Sequence, residues 1–319
     1  MKKEKTKIIF MGTSDFAKGI LESIVGEKYQ VLAVFTQPDK KAGRKQEIKI
    51  GPVKEFAEKQ KILVFQPAKL AEETIEKIKG MNPDLIIVAA YGKIIPKEIL
   101  AVPKYKSINI HPSMIPKFRG PSPIQNAILS GEKETGITIM LMDEKTDHGD
   151  ILAQAKVQIY PDENTEDLSK KIIPLSTKLL LETIPRWIEG KIKPQKQDDS
   201  KATYCQLIER EDGHIFWNET ANEIYDKFRA LFPWPGIFSV WEKDGNIARL
   251  KLVKIKIQEK DPEKKYEIGE IFRLNPKEIG VKTAKGVVII EEVQFEGKNP
   301  IKINEFLNGY PNFIGNKLK

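Results

Sequence analysis

Asp84-Leu85-Ile86-Ile87-Val88-Ala89-Ala90 decides the fold. From Leu85 to Ala90 every residue is apolar, so a strand built from them has no face to offer water and needs cover on both sides. Just before it, Ala71 to Lys79 carries the apolar spacing of a helix. Further back, Ile8-Ile-Phe-Met-Gly-Thr-Ser-Asp-Phe-Ala17 reads as a buried strand, a tight turn and a helix start with Ser14 or Asp15 placed to cap it. The helical pattern runs on through Ile20, Leu21, Ile24 and Val25. Val31 to Thr36 is a second strand and Val53 to Gln60 a second helix. Apolar strands that alternate with helices predict an α/β architecture, a Rossmann-like and mostly parallel sheet covered on both faces.

In such sheets, sites lie beyond the carboxyl ends of the strands. Ser107-Ile-Asn109-Ile-His111 is an apolar strand with Asn109 and His111 near such an end, on one face because side chains two apart point the same way. A proline-rich loop follows. Gly136 to Met142 and Ile151 to Ile159 read as a strand pair enclosing Thr146-Asp147-His-Gly-Asp150, which would bring Asp147 to the sheet edge near His111. The Asn109 amide is a neutral donor for a developing oxyanion, typically worth roughly 100- to 1000-fold in rate. His111 brings an imidazole, which can give or take a proton. Asp147 can accept a bond from the imidazole and fix its tautomer. Taken singly, the same residues also fit a strand-end cap, a turn histidine before Pro112 and an ordinary turn aspartate.

At 319 residues, with 40% hydrophobic and 31% charged residues, the chain has the length of two domains and the composition of a soluble globular protein. No apolar run reaches the roughly 18 residues of a membrane span, and the segment Ile8 to Phe10 is too short for a signal-peptide core. A cytoplasmic location is expected. One cysteine, Cys205, excludes an internal disulfide framework, and three histidines without ligand spacing point to no metal. Gly12 belongs to no G-x-G-x-x-G fingerprint, so a dinucleotide has little support. The net charge of +8 favours polyanionic partners and lies mostly in the first half.

Leu168 to Ile188 has a helical pattern in which Pro174 and Pro185 are expected to kink or end the helix. The polar stretch 193–211 reads as a linker between a catalytic domain, 1–192, and a second domain, 212–319. In the latter a helix is expected from Thr220 to Phe232, closed by Pro233-Trp-Pro-Gly236. After it come short strands over Ala248 to Gln258, Gly269 to Leu274, Gly280 to Lys282 and Val287 to Phe295, which suggest a small C-terminal β-barrel. Arg249, Lys251, Lys254 and Lys256 interleave with apolar residues, as a phosphate-reading face or as the wet side of an amphipathic strand. Lys40-Lys41-Ala-Gly-Arg44-Lys45 is a second basic segment, suited to ordering on a polyanion or to remaining solvated.

Several motifs together resemble the methionyl-tRNA formyltransferase branch of the folate-dependent formyltransferase family. They are Phe35-Thr-Gln-Pro-Asp39, Ala42-Gly-Arg44, Phe65-Gln-Pro67, Ala89-Ala-Tyr-Gly92, Asn109-Ile-His111, Ser113-Met-Ile-Pro116, Arg119-Gly120, Pro123-Ile-Gln125, Glu134 to Met140, Asp147-His-Gly-Asp150 and Pro233-Trp-Pro235. The resemblance covers nearly the whole chain. It implies transfer of the formyl group of 10-formyltetrahydrofolate, a cosubstrate, to the free α-amine of methionyl-initiator tRNA for translation initiation. No metal, no membrane and no obligate protein partner are expected. Asn109, His111 and Asp147 become the catalytic set, and Ser113, Met114, Ile115 and Pro116 the folate pocket. The barrel becomes an oligonucleotide-binding (OB)-like module for the tRNA body. Contacts to tRNA fall on Lys40, Lys41, Arg44 and Lys45, on Arg210, and on the barrel cations Arg249, Lys251, Lys254 and Lys256. Within Ser-x-x-Pro the family's usual Leu-Leu is Met114-Ile115 here, and of the linker cations only Lys201 and Arg210 stand near its end. A related enzyme acting on an amino sugar nucleotide or glycinamide ribonucleotide would need neither the basic loop nor the barrel, and an inactive tRNA-binding module would not need Asn109, His111 and Asp147.

Overall fold

A computed structural model describes residues 4–26, 28–42, 47–243 and 245–319. Its backbone forms two compact units. Met1–Ile124, Lys133–Ile159 and Leu168–Leu207 make the first, and Gln125–Glu132, Tyr160–Asp167 and Ile208–Lys319 the second.

Up to residue 188 the elements are β1 (Thr6–Gly12), α1 (Asp15–Ile24), β2 (Tyr29–Phe35), β3 (Lys40–Ala42), β4 (Glu47–Lys49), α2 (Pro52–Lys59) and β5 (Leu63–Phe65). They continue with α3 (Glu72–Met81), β6 (Leu85–Ala89), α4 (Lys97–Leu100), β7 (Ser107–His111), α5 (Pro123–Leu129), β8 (Glu134–Leu141), β9 (Ile151–Gln158) and α6 (Thr165–Ile188). Seven strands form one sheet in the order β5-β2-β1-β6-β7-β8-β9. Those from β5 to β7 run parallel, while β8 pairs antiparallel with β7 and β9 antiparallel with β8. Ile8 to Met11 of β1 and Leu85 to Ile87 of β6 are wholly inaccessible, as an apolar run in mid-sheet requires. Ser14 caps α1 by accepting from the Ala17 amide at 3.3 Å, and Ile20, Leu21 and Ile24 turn their side chains to the core. Each such aliphatic side chain stabilises the unit by about 1.5–3 kcal/mol.

Two expectations change here. α6 runs unbroken through Pro174 and Pro185, because Leu168, Ile172, Ser176, Leu180 and Ile184 repeat every fourth residue as one buried stripe. That packing offsets the roughly 3 kcal/mol an interior proline costs. The stretch read as a linker from residue 193 is instead folded into the first unit as far as Leu207. Gln195 exchanges backbone bonds with Ile151 of β9 at 2.7 and 2.9 Å, and Arg119 does so with Thr203 and Cys205 at 2.9 and 2.8 Å. Its polar composition reflects anchoring by hydrogen bonds in place of an apolar core.

The second unit holds α7 (Ala221–Ala230), β10 (Ile237–Lys243), β11 (Asn246–Gln258), β12 (Ile271–Asn275), β13 (Glu278–Lys282), β14 (Val287–Phe295), β15 (Ile301–Lys302) and α8 (Ile303–Gly309). The antiparallel order is β10-β11-β14-β13-β12, with β15 beside β14. Residues 316–319 join the two edges: Lys319 exchanges bonds with Val240 of β10, Ile271 of β12 donates to Asn316, and Leu318 donates to Gly269. The result is a closed barrel. Trp241 lies at its core within 6.2 Å of the rings of Phe295, Phe306, Tyr310 and Phe313. Thr220 and Glu223 form a reciprocal capping box on α7. Thr220→Ala is expected to cost about 1 kcal/mol, seen as amide hydrogen exchange in α7 quickening about fivefold.

Candidate active site

β7 ends with Asn109 and His111 on one face, 9% and 4% exposed, and the β8–β9 connection brings Asp147 to them. The Asn109 amide Nδ2 donates to Asp147 Oδ1 at 3.1 Å. The second carboxylate oxygen, Oδ2, accepts from the Gly120 backbone amide at 2.8 Å and lies 3.5 Å from His111 Nδ1. On its far side the ring places Nε2 2.8 Å from the Phe118 carbonyl. A carbonyl only accepts, so Nε2 carries the hydrogen and Nδ1 of the neutral ring holds the lone pair. The tautomer is therefore fixed by Phe118 and not, as expected from sequence, by Asp147. Asp147 instead faces the nitrogen that would take up a proton.

Asp147 and Phe118 both have left-handed backbone, with φ of 50° and 60°. Such conformations typically cost about 1–3 kcal/mol outside glycine, and concentrate where the surroundings over-determine them. Part of the surroundings of Asp147 is Gln197, from the stretch read as a linker. Its Nε2 donates to the carbonyls of Asp147 and Gly149 at 2.9 and 2.7 Å. Two such bonds, each worth about 0.5–1.5 kcal/mol net, match the backbone strain in size. Oε1 of Gln197 accepts from Arg119 Nε at 3.0 Å and Nη2 at 2.6 Å. Arg119, 1% exposed, also reaches Asp199 at 2.6 Å and the Tyr204 hydroxyl at 3.1 Å. That bond from Arg119 holds the Asp199 carboxyl below the usual range, with burial opposing it. Gly149 is required by space, since a Cβ there would lie 1.9 Å from the Leu141 carbonyl oxygen. Neither Gln197 nor Phe118 carried a signal in the sequence, because one lies in a polar stretch without periodicity and the other acts through its backbone.

The loop after β7 divides the expected folate-pocket residues. Ser113 is fully buried and donates to the Lys117 carbonyl at 2.7 Å, and Ile115 is 3% exposed with its amide bonded to Thr138 Oγ1. Both belong to the core of the loop. Met114 and Pro116 are half-buried. The motifs Phe35 to Asp39, Phe65 to Pro67 and Ala89 to Gly92 prove to be stitched together. Gln37 Nε2 donates to the Tyr91 and Gly92 carbonyls at 2.9 and 3.2 Å, Gln66 Nε2 to the Gln37 carbonyl and Asp39 at 2.9 Å, and Lys54 to Asp39 at 2.5 Å. Gly92, with φ of 72°, leaves room for Gln37 Nε2, which a Cβ would approach to 2.5 Å.

Arg44 and Lys45 lie outside the described residues, and Lys40 and Lys41 enter through their backbones, which pair with β4 as a two-stranded hairpin. In the second unit Arg210 pairs with Glu296 at 2.6 Å, and Arg249 pairs with Glu211 at 2.7 Å while lying 3.8 Å from the centre of the Phe238 ring. Lys254 and Lys256 share Glu291. Strict alternation along β11 would separate these cations, but the register shifts at Val253 and Glu291 reverse the parity. Leu250, Leu252 and Ile255 are buried, while Lys254 and Lys256 are exposed. Lys251 packs against Gly236, and burial pushes its ammonium down. Cys205 is buried, and desolvation pushes its thiol up. Among the described residues no group of three or more His, Cys, Asp or Glu is arranged to hold a metal, and no helix is long and apolar enough to cross a membrane.

A mostly parallel sheet followed by a barrel is the fold of formyl-group transferases, and here it carries Asn109, His111 and Asp147 together at the carboxyl end of β7. Residues 6–184 match the formyl transferase family model and residues 207–311 its C-terminal domain model, so the chain belongs to the formyl transferase family. Over nearly its whole length it is similar to methionyl-tRNA formyltransferases. That of Caldicellulosiruptor saccharolyticus is 44% identical over 306 residues, 95% of this chain and 96% of the relative. That of Geobacillus sp. is also 44% identical over 306 residues, 95% and 94% of the two chains. Among solved structures, HypX from Aquifex aeolicus in complex with tetrahydrofolic acid superposes with a TM-score of 0.64 at 19% identity, over 98% of this chain and 48% of that one. This chain thus spans about half the length of HypX. The sugar 3N-formyl transferase WlaRD, solved with dTDP and 5-N-formyl-THF, gives a TM-score of 0.63 at 20% identity, over 93% and 100%. These two likenesses concern the fold.

Proposed function

We propose that this enzyme transfers a formyl group from 10-formyltetrahydrofolate to the α-amine of methionyl-initiator tRNA, in the cytoplasm, with Asn109, His111 and Asp147 as its catalytic set. The observation that carries the reading is the junction of Asn109, His111 and both oxygens of Asp147 at the end of β7. The likeness to methionyl-tRNA formyltransferases along nearly the whole chain supports the choice of acceptor.

The chemistry follows from the free valences. One Asn109 N–H is held by Asp147, which leaves the second to donate to the formyl oxygen as charge develops there, a contribution of roughly 100- to 1000-fold. An esterified α-amine has a pKa no higher than the roughly 7.7–8.0 of an ordinary α-amino group, so a useful fraction attacks unassisted. Its proton must then leave. Nδ1 of His111 carries the lone pair that takes it, directly or through a water, and the imidazolium so formed faces the Asp147 carboxylate at 3.5 Å. Return of that proton to the departing folate nitrogen completes the transfer. Half-buried Met114 and Pro116 suit the apolar part of a flat cosubstrate, and no side chain need form a covalent intermediate.

The tRNA would meet the basic residues Lys40, Lys41, Arg44 and Lys45, together with Arg210 and the barrel cations Arg249, Lys251, Lys254 and Lys256. Exposed ion pairs such as Arg210–Glu296 are worth little, so exchanging the carboxylate for a phosphate is inexpensive. Arg44→Ala is expected to slow formylation of initiator tRNA and weaken its discrimination while leaving folate binding unchanged, and Arg44→Lys to rescue it in part. The salt dependence of tRNA binding should become shallower by at most about one unit of slope. Wild-type rate and selectivity in Arg44→Ala would move recognition to the barrel face.

The deciding experiment supplies formyl-folate with methionyl-tRNA, initiator and elongator separately, and with an amino sugar nucleotide. Formyl-methionine on the initiator alone is expected. Formylation of the sugar nucleotide, or of nothing, overturns the reading.

A further inference from the structure

The mechanism spends both oxygens of Asp147, yet nothing in it explains how a non-glycine residue is held in left-handed backbone with its carboxylate aimed at three groups at once. The side chain of Gln197 meets that need. Both of its N–H bonds end on main-chain carbonyls that bracket the turn, those of Asp147 and Gly149. Its oxygen is gripped by two nitrogens of buried Arg119, which fixes which end of the amide is the donor. Arg119 is in turn tied to Asp199 and Tyr204, so the whole segment after Gln195 is fastened before it reaches the turn. Gly120, next to Arg119, supplies the amide that binds Asp147 Oδ2. One arginine thus neighbours a direct ligand of the carboxylate and also orients the group that holds its backbone.

We infer that Gln197 is a positioning residue for formyl transfer: oriented by Arg119, it sets the backbone of Asp147 so that the carboxylate meets Asn109, Gly120 and His111 together. This rests on the catalytic role proposed above for Asp147. Neither the match to the family models nor the likeness to relatives assigns Gln197 a role. A glutamine is required because the site needs a donor toward two carbonyls and an acceptor toward a guanidinium in one side chain.

Gln197→Glu keeps the acceptor for Arg119 but sets a carboxylate oxygen against two carbonyl oxygens. With methionyl-tRNA and formyl-folate as substrates, kcat should fall about 10- to 100-fold, as for a displacement of the reacting groups by about 1 Å. KM for methionyl-tRNA should stay within about threefold, and the pH–rate profile should take the form of that of Asp147→Asn. Placed on Asp147→Asn, Gln197→Glu should cost less than about a further twofold, because both changes act on one carboxylate. A purely structural role would instead multiply the two losses and leave the profile unaltered. Should the Glu variant fail to accumulate as folded protein, Gln197→Met, which removes the donor without adding charge, carries the same measurements. A Gln197 variant within about threefold of the parent kcat, or a full multiplicative loss in the double variant, overturns the inference. A fully active Asp147→Asn enzyme overturns the role of Asp147 itself, whereas an impaired Asp147→Asn beside an active Gln197 variant sinks the positioning role alone.

Discussion

Asn109→Ala should lower kcat for formylation by about 100-fold or more while leaving the affinity for methionyl-tRNA little changed. One hydrogen of its amide is on Asp147 Oδ1, and the proposed mechanism gives the other to the formyl oxygen. The second bond strengthens only as negative charge develops, so its loss falls on the transition state and not on the ground state. Truncation also leaves Asp147 Oδ1 without its donor, so the carboxylate loses part of its fixed orientation. His111→Ala should cost as much by a different route, since Nδ1 is the nitrogen free to take the ammonium proton. Added imidazole should restore a measurable fraction of activity to the His111 variant and none to the Asn109 variant. Retention of more than about a third of the parent activity in either would remove that residue from the catalytic set.

The second large effect is expected from an isosteric change. Asp147→Asn preserves volume and tolerates left-handed backbone, so the fold should survive intact. It cannot preserve the bonding. Asp147 accepts through both oxygens, from Asn109 and from Gly120, and an asparagine has one acceptor and one NH2 group. Whichever way the amide flips, a donor faces a donor, and the anion opposite His111 Nδ1 is gone. The imidazolium that the proposed mechanism forms at His111 then loses its counter-charge. The pH–rate profile should therefore change its form, with kcat reduced by about 100-fold, since both proton transfer and oxyanion placement suffer. An unchanged profile in this variant would show that the carboxylate does not act through the histidine.

How much of this was legible beforehand depends on whether a residue acts by pattern or by backbone. The apolar runs at Ile8 to Met11 and Leu85 to Ala89 could be read because a central parallel strand excludes water from both faces. The three-residue strand Leu63–Phe65 could not, being short and at the sheet edge. Asn109 and His111 followed from strand alternation, and Asp147 from the turn between two paired strands. Gln197 was hidden because polar residues that anchor a segment by hydrogen bonds look, in composition, like those of a solvated linker. The parity of Arg249 and Lys256 was likewise hidden, since a register shift at Val253 depends on the partner strand and leaves no local mark. Pro174 and Pro185 misled in the opposite sense, because a local preference yielded to a long buried stripe.

The seam of the barrel also bears on how the second unit is made. Ser239 and Lys319 meet across 80 positions of sequence, and residues 315–319 pair with Val240 of β10 and Ile271 of β12, whereas Phe238 of β10 is already paired with Ile215. During synthesis those two edges keep unpaired N–H and C=O groups at Val240 and Ile271 until residues 315–319 clear the ribosome. Closure is thus a non-local event of the kind that slows folding, and the interval before it is when neighbouring nascent chains can pair edge to edge. Lys319 bonds to Val240 through both its amide and its carbonyl, so the seam at β10 closes on the backbone of one late residue.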